Sequence, residues 1–293
     1  MSLSPPAPSR SEIVARLRAA GCVFAEDEAR LLVSTARTPA DLAVMLDRRV
    51  AGLPLEHVLG WAEFCGLRMT VDPGVFVPRR RTEFLVRQAA TLARRITAPT
   101  GGRTVVVDLC CGSGAVGAAL AAALGRVELH AVDIDPAAVR CARRNVAAAG
   151  GRVYEGDLYG PLPAALRGRV GVLVASAPYV PSGEVRLLPA EARVHEPRTA
   201  LDGGADGLDV VRRVAAAAAL WLAPDGVLLV ETGEHQATRA ADGVARGGLV
   251  PRVAVSGETH ATVVVGTRPD SRENRALAEG AIVPSERPGS TID

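Results

Sequence analysis

Residues 104–118 read TVVVDLCCGSGAVGA, and this stretch decides the fold. A β-branched run, Thr104–Leu109, empties into Cys110-Cys111-Gly112-Ser113-Gly114, and the chain passes directly into Ala115–Leu124, which is apolar at helical spacing. Short strands this apolar belong to sheets covered on both faces. A glycine-bearing turn between strand and helix lets a ligand approach the backbone at the sheet's carboxyl edge. The spacing is not the dinucleotide G-x-G-x-x-G, because Cys110 stands at the usual first glycine. Gly112-x-Gly114-x-x-Gly117 matches only when forced, and by itself it is equally a tight turn with glycines chosen for φ and packing.

Downstream of this unit, short Val-rich runs continue to alternate with helical stretches. Val127–Val132 precedes a helix over Pro136–Ala149, and further runs follow at Arg152–Glu155, Val170–Ala175, Gly226–Glu231, Leu249–Val255 and Thr262–Thr267. The alternation predicts right-handed β-α-β crossovers and a doubly wound, parallel α/β sheet of about seven strands. Pro251 makes Leu249–Val255 the weakest strand, or an edge one. Upstream, Ser11–Ala20, Glu26–Ala36 and Ala40–Val50 have helical spacing, and Trp61–Val77 reads as a hairpin with Gly66 and Pro73-Gly74 as turn signals. The expected organisation is a helical domain over 1–60, a hairpin linker over 61–80, an α/β domain over 81–268 and a disordered tail over 269–293. No repeat of 20 to 50 residues is visible.

Composition narrows the chemistry. All 34 basic residues are Arg, so Schiff-base and phosphate-loop lysines are excluded. A net charge of +2 and 3% aromatic residues leave neither a polyanion footprint nor base-stacking platforms, so stable nucleic-acid binding is not expected. The five cysteines, Cys22, Cys65, Cys110, Cys111 and Cys141, are odd in number and contain no C-x-x-C. That argues against a disulfide framework and a zinc site and for a reducing compartment. The longest strongly apolar run, Val214–Ala223, is too short to span a membrane, and Met1–Arg10 lacks a signal-peptide core. A cytoplasmic monomer with no metal and no membrane association is expected.

The ends of the later strands name the ligand. Val127–Val132 ends in Asp133-Ile134-Asp135-Pro136, about 20 residues after the glycine turn, where a carboxylate can accept both hydroxyls of a ribose. Asp135 is placed to cap the helix that Pro136 begins. Arg152–Glu155 ends in Gly156-Asp157-Leu158, where Asp157 can accept from an adenine amino group. A nucleoside ligand with no basic residue in its glycine loop points to S-adenosylmethionine rather than to a dinucleotide.

Val170–Ala175 runs into Ser176-Ala177-Pro178-Tyr179-Val180-Pro181. With this segment the chain resembles the HemK/PrmC-type protein-(glutamine-N5) methyltransferases, which carry N-P-P-Y at this strand end. The resemblance extends over roughly Leu17–Thr267 and includes GVFVPRRRTE at 74–83, EPRTALDGGADGL at 196–208 and ETGEHQ at 231–236. It implies a Rossmann-like class I S-adenosylmethionine-dependent methyltransferase fold. The implied substrate is a peptide-chain release factor, methylated on the glutamine of its Gly-Gly-Gln motif. Catalytic positions carried over are Ser176, Ala177, Pro178 and Tyr179; cofactor positions are Cys110, Cys111, Gly112, Ser113, Gly114, Asp133, Asp157, Leu158 and Ser176.

Two departures bear on the substrate. Ser176 replaces the family's Asn and Ala177 its first Pro, so one hydroxyl stands where a carboxamide would pair with both ends of a glutamine amide. An exocyclic amino group of a nucleobase, or a chain that keeps the cofactor and has lost the glutamine substrate, are the alternatives. Leu158 stands where the family commonly places an aromatic residue. Cys110 and Cys111 read as small apolar wall residues. Glu196 and Arg198 read as a structural ion pair beneath the Ser176 loop, Arg79–Arg81 as a solvated run, and Glu83 as either a cap or a pocket wall. His195 and His235 have no partners at metal-ligand spacing.

Overall fold

The computed structural model describes residues 8–96 and 102–269, and the tail expected over 269–293 falls outside them from residue 270 onward. Four helices come first: α1 (Arg10–Ala19), α2 (Ala25–Thr35), α3 (Pro39–Val50) and α4 (Leu55–Leu59). Local chemistry sets their starts. Ser9 and Glu12 form a capping box on α1, and Thr38 accepts from the Asp41 amide ahead of α3, which opens on Pro39. Ile13, Leu17, Leu32, Met45, Leu46 and Val58 pack a core between the four. Buried Arg49 on α3 donates to both oxygens of Glu28 on α2, at 2.6 and 3.1 Å, and to the Leu53 carbonyl.

The hairpin β1 (Trp61–Phe64) and β2 (Leu67–Thr70) turns at Cys65-Gly66. It is shorter than expected, because Pro73-Gly74 belongs to an irregular segment rather than to a second strand turn. Glu83, at the start of α5 (Glu83–Ala93), accepts from the Cys65 amide at 3.0 Å and so caps this hairpin turn.

The main sheet contains β3 (Thr104–Leu109), β4 (Val127–Asp133), β5 (Arg152–Glu155), β6 (Val170–Ala175), β7 (Leu222–Thr232), β8 (Val250–Ser256) and β9 (Ala261–Thr267). Their order is β5-β4-β3-β6-β7-β9-β8. The five strands β3 to β7 are parallel, whereas β9 runs antiparallel to β7 and β8 antiparallel to β9. The sheet is therefore mixed, not wholly parallel. Only four residues, 257–260, join β8 to β9, too few for a crossover, which needs a dozen or more. β8, which carries Pro251, is an edge strand, as its proline requires.

Helices cover both faces. α5 and α6 (Ala115–Leu124) pack with Val106, Val172, Val174 and Leu229, while α9 (Asp209–Trp221) and α10 (Ala237–Arg246) pack with Val107, Leu173, Leu228 and Val230 on the other. α7 (Pro136–Asn145) begins under an Asp135 cap, whose Oδ1 accepts from the Ala137 amide at 2.8 Å. A short helix, α8 (Ala190–His195), lies in the long connection between β6 and α9. Strand order reverses between β3 and β6, so their carboxyl ends diverge into a crevice, the place where doubly wound sheets bind ligands. Among the described residues no helix is long and apolar enough to cross a membrane.

Candidate active site

That crevice holds a cavity of about 250 Å³. Each of four strands supplies residues at its carboxyl end: Cys110 and Gly112 after β3, Asp133 and Asp135 at β4, Asp157 and Leu158 after β5, Ser176 and Pro178 after β6. Asp133 is the organising group. Its Oδ2 accepts from the Gly112 amide at 2.7 Å and its Oδ1 from the Asp135 amide at 2.9 Å, so one carboxylate fixes the glycine loop and the start of α7. Burial pushes its pKa up against these two donors. Behind the loop, Asp108 is fully buried; its Oδ2 accepts from the Gly117 amide at 2.8 Å, and its Oδ1 has no partner.

Cys111, Ser113 and Gly114 support the loop from behind and do not line the cavity. Cys111 packs with Ala131 and Ala142. The Ser113 carbonyl accepts from Asn145 Nδ2 at 2.8 Å, and the same amide group accepts from and donates to the backbone of Thr70. Asn145 therefore ties hairpin, loop and α7 together, a role unreadable from its place in an Arg-rich helix end. Gly114 is left-handed at φ +77°, and a Cβ there would lie 3.0 Å from that of Ala142. Cys110 also adopts a left-handed φ of 55°, unusual for a side chain with a Cβ, and burial raises the thiol pKa of both cysteines, as wall residues would show. Asp157 is ion-paired with Arg213 of α9, which also lines the cavity.

A second cavity, of about 280 Å³, adjoins the first; Phe76 and Ala200 line both. Tyr179 opens onto this second space, facing Pro54 and Glu56 of the helical region and Glu191 of α8. Ala177 is buried between the two neighbouring positions. The backbone of this segment is clamped. Gln236 Nε2 donates to the Tyr179 carbonyl at 2.8 Å and to the Asp206 carbonyl at 3.0 Å. Val180 exchanges backbone bonds with Leu201 and Gly203 at 3.1 and 2.8 Å. Gly203 and Gly207 are glycines because a Cβ at either would collide with the Pro178 or Tyr179 carbonyl. Segments 196–208 and 231–236 are thus the mould that holds 176–180.

The charged groups pair differently from the sequence reading. Glu196 accepts from Arg79, not Arg198: both its oxygens lie 2.6 Å from Arg79 Nη2, and the Val77 amide adds a third bond. Arg198 instead pairs with Asp202 at 2.9 Å. Proximity in sequence misled here, because the Glu196 side chain is buried while that of Arg198 is exposed, with extended Pro197 between them. Arg81 is not merely solvated; its Nε lies 3.2 Å from Glu231 Oε1, at the end of β7, and its guanidinium sits 5.2 Å from the Tyr179 ring centroid. Arg49 reaches Glu191 at 2.6 Å, joining α3 to α8 beside the second cavity.

Residues 66–204 match the methyltransferase small domain. Over 204 residues the chain is 39% identical to the release factor glutamine methyltransferase of Geobacter sulfurreducens, a match spanning 68% of each protein. Over 194 residues it is 39% identical to the 4-amino-L-phenylalanine/4-methylamino-L-phenylalanine methyltransferase of Streptomyces pristinaespiralis, spanning 64% of each. In structure it is similar to the hMettl16 catalytic domain, with a TM-score of 0.52 at 14% identity, covering 79% of this chain and 83% of that one; that likeness concerns the fold. The fold and crevice are those of a class I S-adenosylmethionine-dependent methyltransferase. The chain belongs to the release factor glutamine methyltransferase family.

The cavity's own chemistry fits that cofactor. Asp133, Asp135, Asp157 and Asp202 line it against a single guanidinium, Arg213, which suits a ligand with cationic sulfonium and ammonium groups. Gly112 leaves open space where a side chain would stand, and each Asp133 oxygen keeps a lone pair for a hydroxyl donor.

Proposed function

We propose that this chain transfers a methyl group from S-adenosylmethionine to the side-chain amide nitrogen of a glutamine in a protein, the Gly-Gly-Gln segment of a peptide-chain release factor. The observation that carries the reading is that one segment walls two adjoining cavities, Ser176 and Pro178 the first and Tyr179 the second. A donor in the first and a side chain entering through the second meet at Ser176 and Pro178. The second cavity's wall includes Pro54 and Glu56, so the helical region is the natural place for a protein substrate to dock.

In this reading Asp133 takes the ribose hydroxyls, and Asp157 and Leu158 flank the adenine. Cys110 and Gly112, backed by Cys111, Ser113 and Gly114, form the floor under the methionine part. When bound, the cofactor supplies a methyl group activated by its positive sulfur. The rest is positioning by the chain. An amide nitrogen is a poor nucleophile because its lone pair is delocalised, so the site must hold it on the line of transfer. Ser176 Oγ and the Ala177 carbonyl accept its hydrogens, and the Tyr179 ring packs against the amide. The clamp from Gln236, Gly203 and Gly207 keeps those acceptors fixed.

A second reading, a free aromatic amine, is favoured by Ser176, whose single oxygen suits an amine better than both ends of a carboxamide. The deciding assay supplies radiolabelled S-adenosylmethionine with the source organism's release factors, their Gly-Gly-Ala variants, 4-amino-L-phenylalanine and total RNA in parallel. Label on Gly-Gly-Gln that disappears in Gly-Gly-Ala is the expected result. Label only on the small amine, or only on RNA, would replace the glutamine reading.

A further inference from the structure

Glu231 is a carboxylate for which the fold itself gives no sufficient reason. It stands at the carboxyl end of β7, 2% exposed. Val230 of β7 is in register with Ala175 of β6 on the adjacent parallel strand, so the next residues, Glu231 and Ser176, lie side by side at the sheet edge. Glu231 Oε1 receives Arg81 at 3.2 Å, but Oε2 is buried with no hydrogen-bond partner. An orphaned carboxylate oxygen costs stability unless something completes it.

We propose that Glu231 is a positioning residue for methyl transfer: it accepts the Ser176 hydroxyl proton on its free Oε2, turning the Ser176 lone pairs toward the acceptor nitrogen. The inference rests on the proposed role of Ser176 beside the acceptor. A serine hydroxyl can donate or accept. With its proton committed to Glu231, Ser176 can only accept, and the site then selects a nitrogen that still carries N–H. As the N–C bond forms the methyl–sulfur bond breaks, its electron pair staying on sulfur; the nitrogen's N–H then breaks and its proton goes to Ser176 Oγ while the Ser176 proton goes to Glu231 Oε2. The carboxylate ends as a carboxylic acid that returns its proton to solvent. A carboxylate coupled to Ser thus provides the second polar function that a single hydroxyl lacks.

The surroundings suit the task. Arg81, 47% exposed, is the charged group facing the carboxylate; the hydroxyls of Thr82 and Ser176 also favour its ionised form, and on the β9 side stands apolar Val263. Burial outweighs all three and raises the Glu231 pKa above the ordinary carboxylate value, which makes it a better proton acceptor.

The test has two arms. In protein labelled with ¹³C at the glutamate carboxyl carbons and saturated with S-adenosylhomocysteine, NMR follows the Glu231 titration. Ser176→Ala is expected to raise its midpoint by about one pH unit; an unchanged midpoint would overturn the proposal. This arm needs no methyl acceptor, so it stands even if release factors take no label. In the second arm, on whichever acceptor is labelled, Glu231→Gln and Ser176→Ala each lower kcat roughly 100-fold, and Glu231→Gln, which lies outside the cofactor cavity, does so with S-adenosylhomocysteine affinity unchanged. The double variant should be no slower than the slower single one; losses that multiply would mean that the two residues act separately. If Glu231→Gln does not fold, the Ser176→Ala titration decides alone.

Discussion

Replacing Asp108 by Asn should reverse its effect on stability between pH 4 and pH 8. Asp108 lies on β3 beneath the glycine loop, fully buried, with one oxygen bonded to the Gly117 amide and the other without a partner. Burial, with a smaller contribution from nearby Asp133, lifts its pKa from 3.8 to about 7. The folded protein therefore binds this proton more tightly than the unfolded chain. The stabilisation is complete below the unfolded value and is lost as pH rises through about 7. At 1.36 kcal/mol per pH unit, that span is worth about 4 kcal/mol. The neutral Asn avoids that loss but leaves an amide hydrogen in place of an orphaned oxygen, which costs about 1–3 kcal/mol. Asp108→Asn is thus expected to be less stable than the parent at pH 4 and about 1–3 kcal/mol more stable at pH 8. Urea unfolding of the cofactor-free proteins at half-unit pH steps measures the difference directly. A stability difference independent of pH would refute the reasoning, because it would mean that Asp108 titrates alike in both states.

Three further outcomes follow from particular contacts. Gly114→Ala places a Cβ on a left-handed residue and 3.0 Å from Ala142, so it should cost about 2 kcal/mol and weaken cofactor binding, read by thermal unfolding and calorimetry; a melting point unchanged from the parent would contradict this. Arg49→Met strands Glu28 in the helical core and frees Glu191; denaturant unfolding should show a loss of about 3–5 kcal/mol, largely recovered when Glu28→Gln is added. Ser176→Asn should preserve or raise kcat/KM on a release-factor glutamine, and complete loss of transfer would mean that Ser176 serves a different acceptor.

What was legible in the sequence was whatever depends on neighbours in the chain. β3 and β6 start and stop at the residues read from their Val-rich runs, because strands covered on both faces are almost continuously apolar and give way abruptly to the loops that follow. β7 proved longer than Gly226–Glu231. Its first part, Leu222–Asp225, carries a bulge opposite β6 and a left-handed Asp225, so Pro224-Asp225-Gly226 looks like a turn although it lies within a strand. The antiparallel entry of β8 and β9 was encoded all along in the four-residue link between them. The partners of Glu196 and Glu231 were not legible, since Arg79 and Arg81 lie more than a hundred residues upstream and only the tertiary fold brings them together.

The site divides into a frame and a head, and they are specified by different parts of the chain. The frame is backbone: Gln236 on the Tyr179 carbonyl, Gly203 and Gly207 under the 178–179 carbonyls, and the Val180 bridge to Asp202. None of these contacts uses the side chain of residue 176 or 177, so in the proposed function a change there alters what is presented to the acceptor without moving where it is presented. That separation is why Ser176 can stand where relatives of this type carry Asn. It also points to the compensating chemistry proposed above, because Glu231, beside Ser176 on the neighbouring strand, has a spare acceptor oxygen. Acceptor preference should therefore follow residues 176 and 231 as a pair, and substitutions elsewhere in the frame should change rate without changing which nitrogen is methylated.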